Sequence, residues 1–157
     1  MLYRILYRVL SKLASIFFNV FNILLAGNLP PFGSVCMIVE DKGRYLVIQR
    51  PEGRIVFPSG FMRWREHPTQ TVRREGKEET GLELRVGDVV GYYSVVSSNF
   101  YRMSALTLIY EAEVVGGQLH GSVEGQPQWL DESELRSKLE VQQRNMLDRY
   151  LRYRTRP

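Results

Sequence analysis

The sequence predicts a mixed α/β layered domain that follows an N-terminal amphipathic helix. The 157 residues suffice for one domain with a full core and are too few for two ordinary domains. Segments rich in Val, Ile, Tyr and Leu, typical of strands, lie on both sides of a helix that begins near Pro68, and helical segments close the chain. Pro30-Pro31 forms an extended linker, so we expect residues 1–31 to be helix and linker and residues 32–157 to be the domain.

Composition excludes several classes of protein. A hydrophobic fraction of 44% and a charged fraction of 24% are ordinary for a globular protein and exclude disordered, collagen-like and disulfide-scaffold chains. The single cysteine, Cys36, cannot form an internal disulfide, which fits a reducing compartment and predicts a cytoplasmic protein. With only two histidines, any metal is expected to take oxygen ligands. Basic residues concentrate at the two ends, so no specific nucleic-acid binding is expected.

The first element is a helix predicted from about Leu2 to Ala26, because apolar residues recur at alternating spacings of four and three. Gly27 and Asn28 are stop signals. The residues of the apolar face are Leu2, Leu6, Val9, Leu13, Ile16, Val20 and Ile23.

Three interpretations of this helix stay open. A secretory signal or membrane anchor is disfavoured, because the apolar run of 14 residues from Leu13 to Ala26 is shorter than the roughly 20 that span a bilayer and lacks a cleavage pattern. Peripheral contact with an anionic membrane is supported by Arg4, Arg8 and Lys12, which recur at every fourth position. The third interpretation is packing of the apolar face on the domain or on a second copy, as in a homodimer.

The body of the chain is predicted to begin with a hairpin that turns at residues 41–43. Residues 51–60 contain two prolines and two glycines and are expected to form a loop with a short strand. Pro68 suits the first turn of the next helix, with His67 near its N-cap and Gly81 just beyond its end. The remaining predicted elements are strands in SVCMIVED, KGRYLVIQR, VGDVVGYYSVVS and YRMSALTLIYEAEVV and helices in WLDESELRSKLE and VQQRNMLDRYLRYR.

One face of the helix that follows Pro68 carries three acids. Glu75, Glu78 and Glu79 lie at i, i+3 and i+4, a spacing at which like charges repel. The arrangement becomes favourable with a divalent cation between the carboxylates, and Mg²⁺ prefers oxygen ligands shared with a phosphate-bearing substrate. A solvated, charged helix face is the alternative interpretation.

The spacing around these acids resembles the pattern GX5EX7REUXEEXGU of the Nudix, or MutT-like, hydrolase family. Gly60, Glu66 and the run from Arg74 to Leu82 meet its fixed positions, and the resemblance covers about residues 34–140. Two residues depart from the usual pattern. Gly76 stands where an aliphatic residue is preferred, and Ser59 replaces the first glycine of the common entry to the motif.

The resemblance implies a Nudix-type α/β/α sandwich with a mixed sheet, which hydrolyses a nucleoside diphosphate linked to another group and uses Mg²⁺ or Mn²⁺. By position it implies a metal shell, one member of which acts as base through a water, and a supporting pair that orients the carboxylates. It gives no site role to Trp129. The implied shell is Glu75, Glu78, Glu79 and a backbone carbonyl of Ser59 or Gly60, the supporting pair is Glu66 and Arg74, and Glu124 of EGQP is either a further ligand or base or a plain loop residue.

Substrate choice is less defined. The region around Ser97 and Ser98 has no proline where ADP-ribose hydrolases of the family tend to have one, and Tyr101 lies near a tyrosine that marks some dinucleoside polyphosphate hydrolases. Arg50 and Arg63 are candidate phosphate donors, with plain surface exposure as the alternative. Further candidates for phosphate binding or base stacking are Arg65, Phe100 and Trp64.

Two other functions compete with hydrolysis. A nucleotide-binding or sensing module of the same fold would be expected to have lost acids from the motif, and here every acidic position is present. An isomerase of the same fold would need a catalytic cysteine, and Cys36 lies within a predicted strand. The sequence therefore favours a pyrophosphohydrolase.

Overall fold

The computed structural model describes residues 2–155, except for the side chains of residues 2–4, 7 and 8. The chain forms two compact units. One contains the residues up to Gly33 together with Ser94–Leu106, and the other contains Ser34–Tyr93 and the residues from Thr107 onward.

The first unit contains helix α1, Leu2–Leu24, which ends two residues before the predicted end. The backbone turns at Ala26 and Gly27, which both have positive φ, and the Gly27 N–H donates to the Asn22 carbonyl at 2.8 Å. Among residues 2–155, no helix has the length and apolar character needed to cross a bilayer. Most of the described large apolar side chains of α1 are exposed, among them Leu6, Phe17 and Leu24. Of the predicted cationic series, the side chains of Arg4 and Arg8 lie outside the described residues.

The second unit is built on a seven-stranded sheet and three helices. The strand order is β3-β2-β1-β6-β5, with β4 paired to β1 and β7 paired to β2. Lys42 and Gly43 both have positive φ in the turn of the predicted β1–β2 hairpin. The strands are β1 (Phe32–Asp41), β2 (Arg44–Gln49), β3 (Ile55–Val56), β4 (Ser59–Phe61), β5 (Leu82–Val95), β6 (Ala105–Gly117) and β7 (Gln126–Asp131), and the helices are α2 (Pro68–Thr80), α3 (Glu132–Lys138) and α4 (Val141–Arg154).

Strand β1 divides the core into two layers, because successive side chains of a strand point to opposite faces. Cys36 lies in a cluster that includes Leu135 of α3 and Leu147 of α4. Met37 lies in the other cluster, which includes Val72 of α2. The sheet is therefore sandwiched between α2 and the α3–α4 pair, which confirms the predicted α/β/α architecture.

The helix predicted to begin at Trp129 begins three residues later. Trp129 and Leu130 belong to β7, where they pair with Leu46 and Tyr45 of β2. Helix α3 begins only after Asp131, whose carboxylate accepts from the Glu134 N–H at 2.8 Å and so caps the helix. Pairing along β2 thus outweighs the helical pattern of this segment. Trp129 packs half-buried against the core layer that contains α2.

We predict that the Cys36 thiol is unreactive in the folded protein. Its side chain is 1% exposed, and burial, together with the charge of Glu79, raises the pKa of the thiol to about 12. Iodoacetamide at neutral pH should therefore label the native protein negligibly and the denatured protein fully, as measured by intact mass. Rapid labelling of the native protein would contradict the burial of Cys36 and would reopen a role for it as a nucleophile.

Candidate functional site

Helix α2 is anchored at both ends, which fixes the height of its acids above the sheet. At its start, His67 Nδ1 accepts from the Thr69 N–H at 3.3 Å, while the Gln70 side chain accepts from the His67 N–H at 2.8 Å. At its end, Gly81 adopts φ 75° and donates to the Lys77 carbonyl. A Cβ at Gly81 would also lie 2.3 Å from a backbone oxygen, so only glycine fits this cap.

Arg74 is the hub of the acidic cluster. Its Nε and Nη2 donate to the two oxygens of Glu66 at 2.7 and 2.8 Å, and its Nη1 donates to Glu75 Oε1 at 2.6 Å. Nη2 also donates to the Phe61 carbonyl at 3.0 Å, which ties the helix to β4. The paired guanidinium group lowers the pKa of Glu66 to about 2. Arg74 and Glu66 thus contact each other as predicted for the supporting pair.

Gly60 lets the Glu75 carboxylate lie directly against the backbone of β4. A Cβ at Gly60 would be 2.0 Å from the Glu75 carboxyl carbon and 2.1 Å from its Oε1. Val35 of β1 faces Gly60 in the antiparallel register, so the strand has little freedom to retreat. Burial raises the pKa of Glu75. The Glu75 carboxylate therefore occupies the space that a side chain at Gly60 would fill.

Glu79 is the most buried acid of the cluster, with 2% of the residue exposed. Its Oε1 accepts from Arg50 Nη2 at 2.9 Å, and its Oε2 accepts from the Ser59 N–H at 2.8 Å. Burial raises the pKa of Glu79 to about 7, although Arg50 and the Ser59 N–H oppose the shift. The contact with Ser59 uses its N–H rather than the carbonyl that was predicted as a ligand.

Arg50 joins Glu79 to Glu124. Its Nη1 donates to Glu124 Oε2 at 2.6 Å and to the Glu124 carbonyl at 3.2 Å. The loop that carries Glu124 is therefore held beside α2, which is consistent with the prediction that this residue joins the site. Sequence reasoning placed Arg50 on a substrate phosphate and missed that it holds two of the carboxylates.

The other predicted substrate residues lie in different settings. Arg63 Nη2 donates to Glu78 Oε1 at 3.1 Å, and both side chains are largely exposed. Trp64 is exposed beside Arg65, whose guanidinium carbon is 6.0 Å from the ring centroid. Tyr101, like Phe100, is exposed in the compact unit that contains α1.

The structure supplies a reason for the unusual Gly76. A Cβ at this position would lie 2.5 Å from Leu84 Cδ1 and 3.5 Å from Met37 Sδ, because Leu84 of β5 fills the space that an aliphatic side chain would take. Leu84 thus makes the core contact that an aliphatic side chain at position 76 would otherwise make.

The donor set fits a hard divalent cation in its chemistry and its charge. The cluster offers only oxygen ligands and combines five carboxylates with three guanidinium groups, a formal excess of two negative charges. In the described residues no three acidic, histidine or cysteine side chains already converge as metal ligands, and the carboxylates turn toward the guanidinium groups instead. A bound cation would replace part of those ion pairs. The cluster consists of Glu66, Glu75, Glu78, Glu79 and Glu124 with Arg50, Arg63 and Arg74.

We predict that Gly60→Ala lowers turnover by roughly 10-fold or more, because the added methyl group must displace the Glu75 carboxylate. Gly60 does not have positive φ, so alanine adds no backbone strain and the protein should remain folded. Steady-state kinetics would measure the effect. Gly53→Ala, in a loop, is the contrasting variant, because it adds backbone strain but its methyl group meets no neighbouring atom, and it should retain turnover. Unchanged turnover in Gly60→Ala would contradict the proposed position of Glu75.

The chain is similar to known proteins over most of its length. The family model of the NUDIX domain matches residues 30–150. The chain is 29% identical over 131 residues to an ADP-ribose pyrophosphatase of Methanocaldococcus jannaschii. The matched region covers 80% of this chain and 76% of that protein. It is 30% identical over 125 residues to a MutT-like protein of Streptomyces ambofaciens, with coverage of 76% and 78%. Among solved structures, a MutT protein of Methanosarcina mazei superposes with a TM-score of 0.69 at 22% identity and covers 82% of this chain and 99% of its own.

Proposed function

The chain belongs to the Nudix family of hydrolases, and from this premise we propose that it is a divalent-metal-dependent enzyme that cleaves a phosphoanhydride bond in a nucleoside diphosphate linked to another group. One observation carries the proposal. Buried or half-buried carboxylates from one face of α2 meet the backbone of β4 and the loop of Glu124, with an excess of negative charge that one divalent cation neutralises.

The residues that hold Mg²⁺ or Mn²⁺ in this proposal are Glu75, Glu78, Glu79 and Glu124 with the backbone carbonyl of Gly60 or Ser59. The ion supplies polarisation of a phosphoryl oxygen and makes water more acidic. One of the carboxylates takes the proton of the attacking water. Fixed carboxylate positions lower the barrier because they need no reorganisation as charge develops.

Arg74 and Arg50 have different tasks in this account. Arg74 contacts Glu66 on both oxygens and stays in place to orient Glu75. Arg50 neutralises Glu79 and Glu124, and its guanidinium group would also donate to a substrate phosphate. Arg63 on the exposed edge of the cluster is available in the same way.

Two observations about the substrate point in different directions. The relative from Methanocaldococcus jannaschii is named as an ADP-ribose pyrophosphatase, which makes ADP-ribose the first compound to test. The segment around Ser97 and Ser98 lacks the proline that such enzymes tend to carry, which favours a different group beyond the diphosphate. Both fit a nucleoside diphosphate derivative.

A substrate panel tests this proposal. Nucleotide sugars including ADP-ribose, dinucleoside polyphosphates, NADH and nucleoside triphosphates are incubated with the protein and Mg²⁺ or Mn²⁺, and the released phosphate and nucleoside monophosphate are measured. We expect a diphosphate-linked nucleoside to give nucleoside monophosphate. Absence of turnover across the panel with tight nucleotide binding would instead support a sensing module of the same fold.

A further inference from the structure

Helix α1 leaves a continuous apolar stripe exposed. At 100° per residue, six of its large side chains fall within an arc of about 100°. Phe17 and Leu24, at the centre of the arc, are 74% and 75% exposed. The rings of Phe17 and Phe21 stack with centroids 6.2 Å apart, so the stripe includes an ordered aromatic surface. The six residues are Leu6, Leu13, Phe17, Val20, Phe21 and Leu24.

The side of α1 opposite the stripe contacts its own compact unit, where Phe18 packs on Phe32 with ring centroids 4.4 Å apart. Asn19 Nδ2 donates to the carbonyls of Phe100 at 3.1 Å and Arg102 at 3.0 Å. Asn22 Oδ1 accepts from the Leu29 N–H at 3.0 Å, and Ser15 is 5% exposed. These contacts fix the helix with its apolar stripe facing outward. An ordinary surface helix of a globular protein has the opposite orientation.

The charge of the segment that carries the stripe favours an anionic occupant. The first 39 residues contain three basic side chains and no acid, and the first acidic residue is Glu40. An anionic surface complements this charge. A second copy of α1 offers no such complementarity, because the segment that carries the helix contains no acid.

We propose that the stripe of α1 binds the surface of an anionic lipid membrane, with the helix lying in the interface and the hydrolase domain outside it. Interfacial helices combine an apolar face of this kind, containing Phe and Leu, with basic residues that approach anionic headgroups. This inference concerns where the enzyme acts and is independent of the proposed reaction.

Vesicle sedimentation with the full chain tests the inference. Wild-type protein should sediment with vesicles of phosphatidylcholine and phosphatidylserine at low salt, less with pure phosphatidylcholine, and less again at high salt. The double variant Phe17→Ser/Leu24→Ser should lower the partition coefficient by about 100-fold, because each side chain loses roughly a factor of ten in apolar transfer. Both side chains are exposed, so the fold should be retained, as circular dichroism would verify.

The matched control is Val123→Ser/Val141→Ser, which removes two side chains that are 77% and 66% exposed but lie outside α1. This control should bind vesicles as the wild type does. Wild-type protein that stays in the supernatant, or a stripe variant that binds equally well, would overturn the inference. A wild-type dimer that becomes monomeric in the stripe variant, without vesicle binding, would assign the stripe to a second copy instead.

Discussion

Glu79→Gln is expected to lower turnover by roughly 100-fold or more while the protein remains folded. The substitution keeps the size of the side chain but removes a charge that the proposed cation needs, and with it stabilisation of the transition state. The thermal midpoint of the metal-free protein at pH 8 should not fall and is expected to rise. Burial raises the pKa of Glu79 to about 7, so the ionised carboxylate lowers the stability of the metal-free fold increasingly as the pH rises from its unfolded-state value toward 7. Glutamine does not carry that penalty.

Turnover of the best substrate from the panel and the thermal midpoint at pH 8 measure the two effects. Glu83→Gln is the matched control, because Glu83 is exposed and, within residues 2–155, forms its ion pair with Lys77, away from the acidic cluster. The control should retain wild-type turnover. A Glu79→Gln protein with nearly unchanged turnover would remove this residue from the site.

Arg74→Lys is expected to lower both stability and turnover. Lysine keeps the charge but cannot contact both oxygens of Glu66 and also reach Glu75 and the Phe61 carbonyl, as the guanidinium group does. The partly buried carboxylates would lose hydrogen bonds, which corresponds to about 2–3 kcal/mol in the free energy of unfolding. Because Glu75 would also lose its fixed position, turnover should fall by roughly 10-fold or more.

Urea unfolding and steady-state kinetics report these effects separately. Arg73→Lys is the matched control, since Arg73 is the neighbouring residue on α2 and is exposed. Its unfolding free energy and turnover should equal those of the wild type. If Arg74→Lys behaved in the same way as this control, Arg74 would not be the residue that organises the acids.

The limits of helix α2, residues 68–80, could be predicted from the sequence because they depend on the residues at its two ends. The turn preceding it presents His67 as a cap, Pro68 occupies the first turn, and Gly81 takes the positive φ that ends the helix. The acidic site on this helix could be recognised in the same way, because carboxylates at this spacing repel one another in water and are stabilised by a cation between them. Local signals of this kind need no information about distant contacts.

Features that depend on pairing between distant segments could not be predicted in the same way. Trp129 lies in β7 because that strand pairs with β2 along its whole length. The sequence around Trp129 does not indicate this pairing with a distant strand. Arg50 bridges Glu79 and Glu124, residues far apart in the chain, so its position follows only from the fold. Gly76 likewise makes sense only once Leu84 is seen to fill the adjacent space.

The orientation of α1 is a further case. Its periodicity correctly predicted a helix with one apolar face, but periodicity alone favoured packing of that face on the domain or on a second copy. The contacts of Asn19 and Asn22 turn the opposite face inward, and these depend on backbone carbonyls about 80 residues away and on a turn just beyond the helix.

The dependence of turnover on a divalent cation tests the central claim most directly. Protein stripped of metal by a chelator and then dialysed is assayed with its diphosphate-linked substrate before and after addition of Mg²⁺. The proposed site predicts no measurable turnover before addition and release of nucleoside monophosphate after it, because the carboxylates alone cannot polarise the phosphoryl group. Equal turnover with and without the cation, from protein verified to be metal-free, would contradict it.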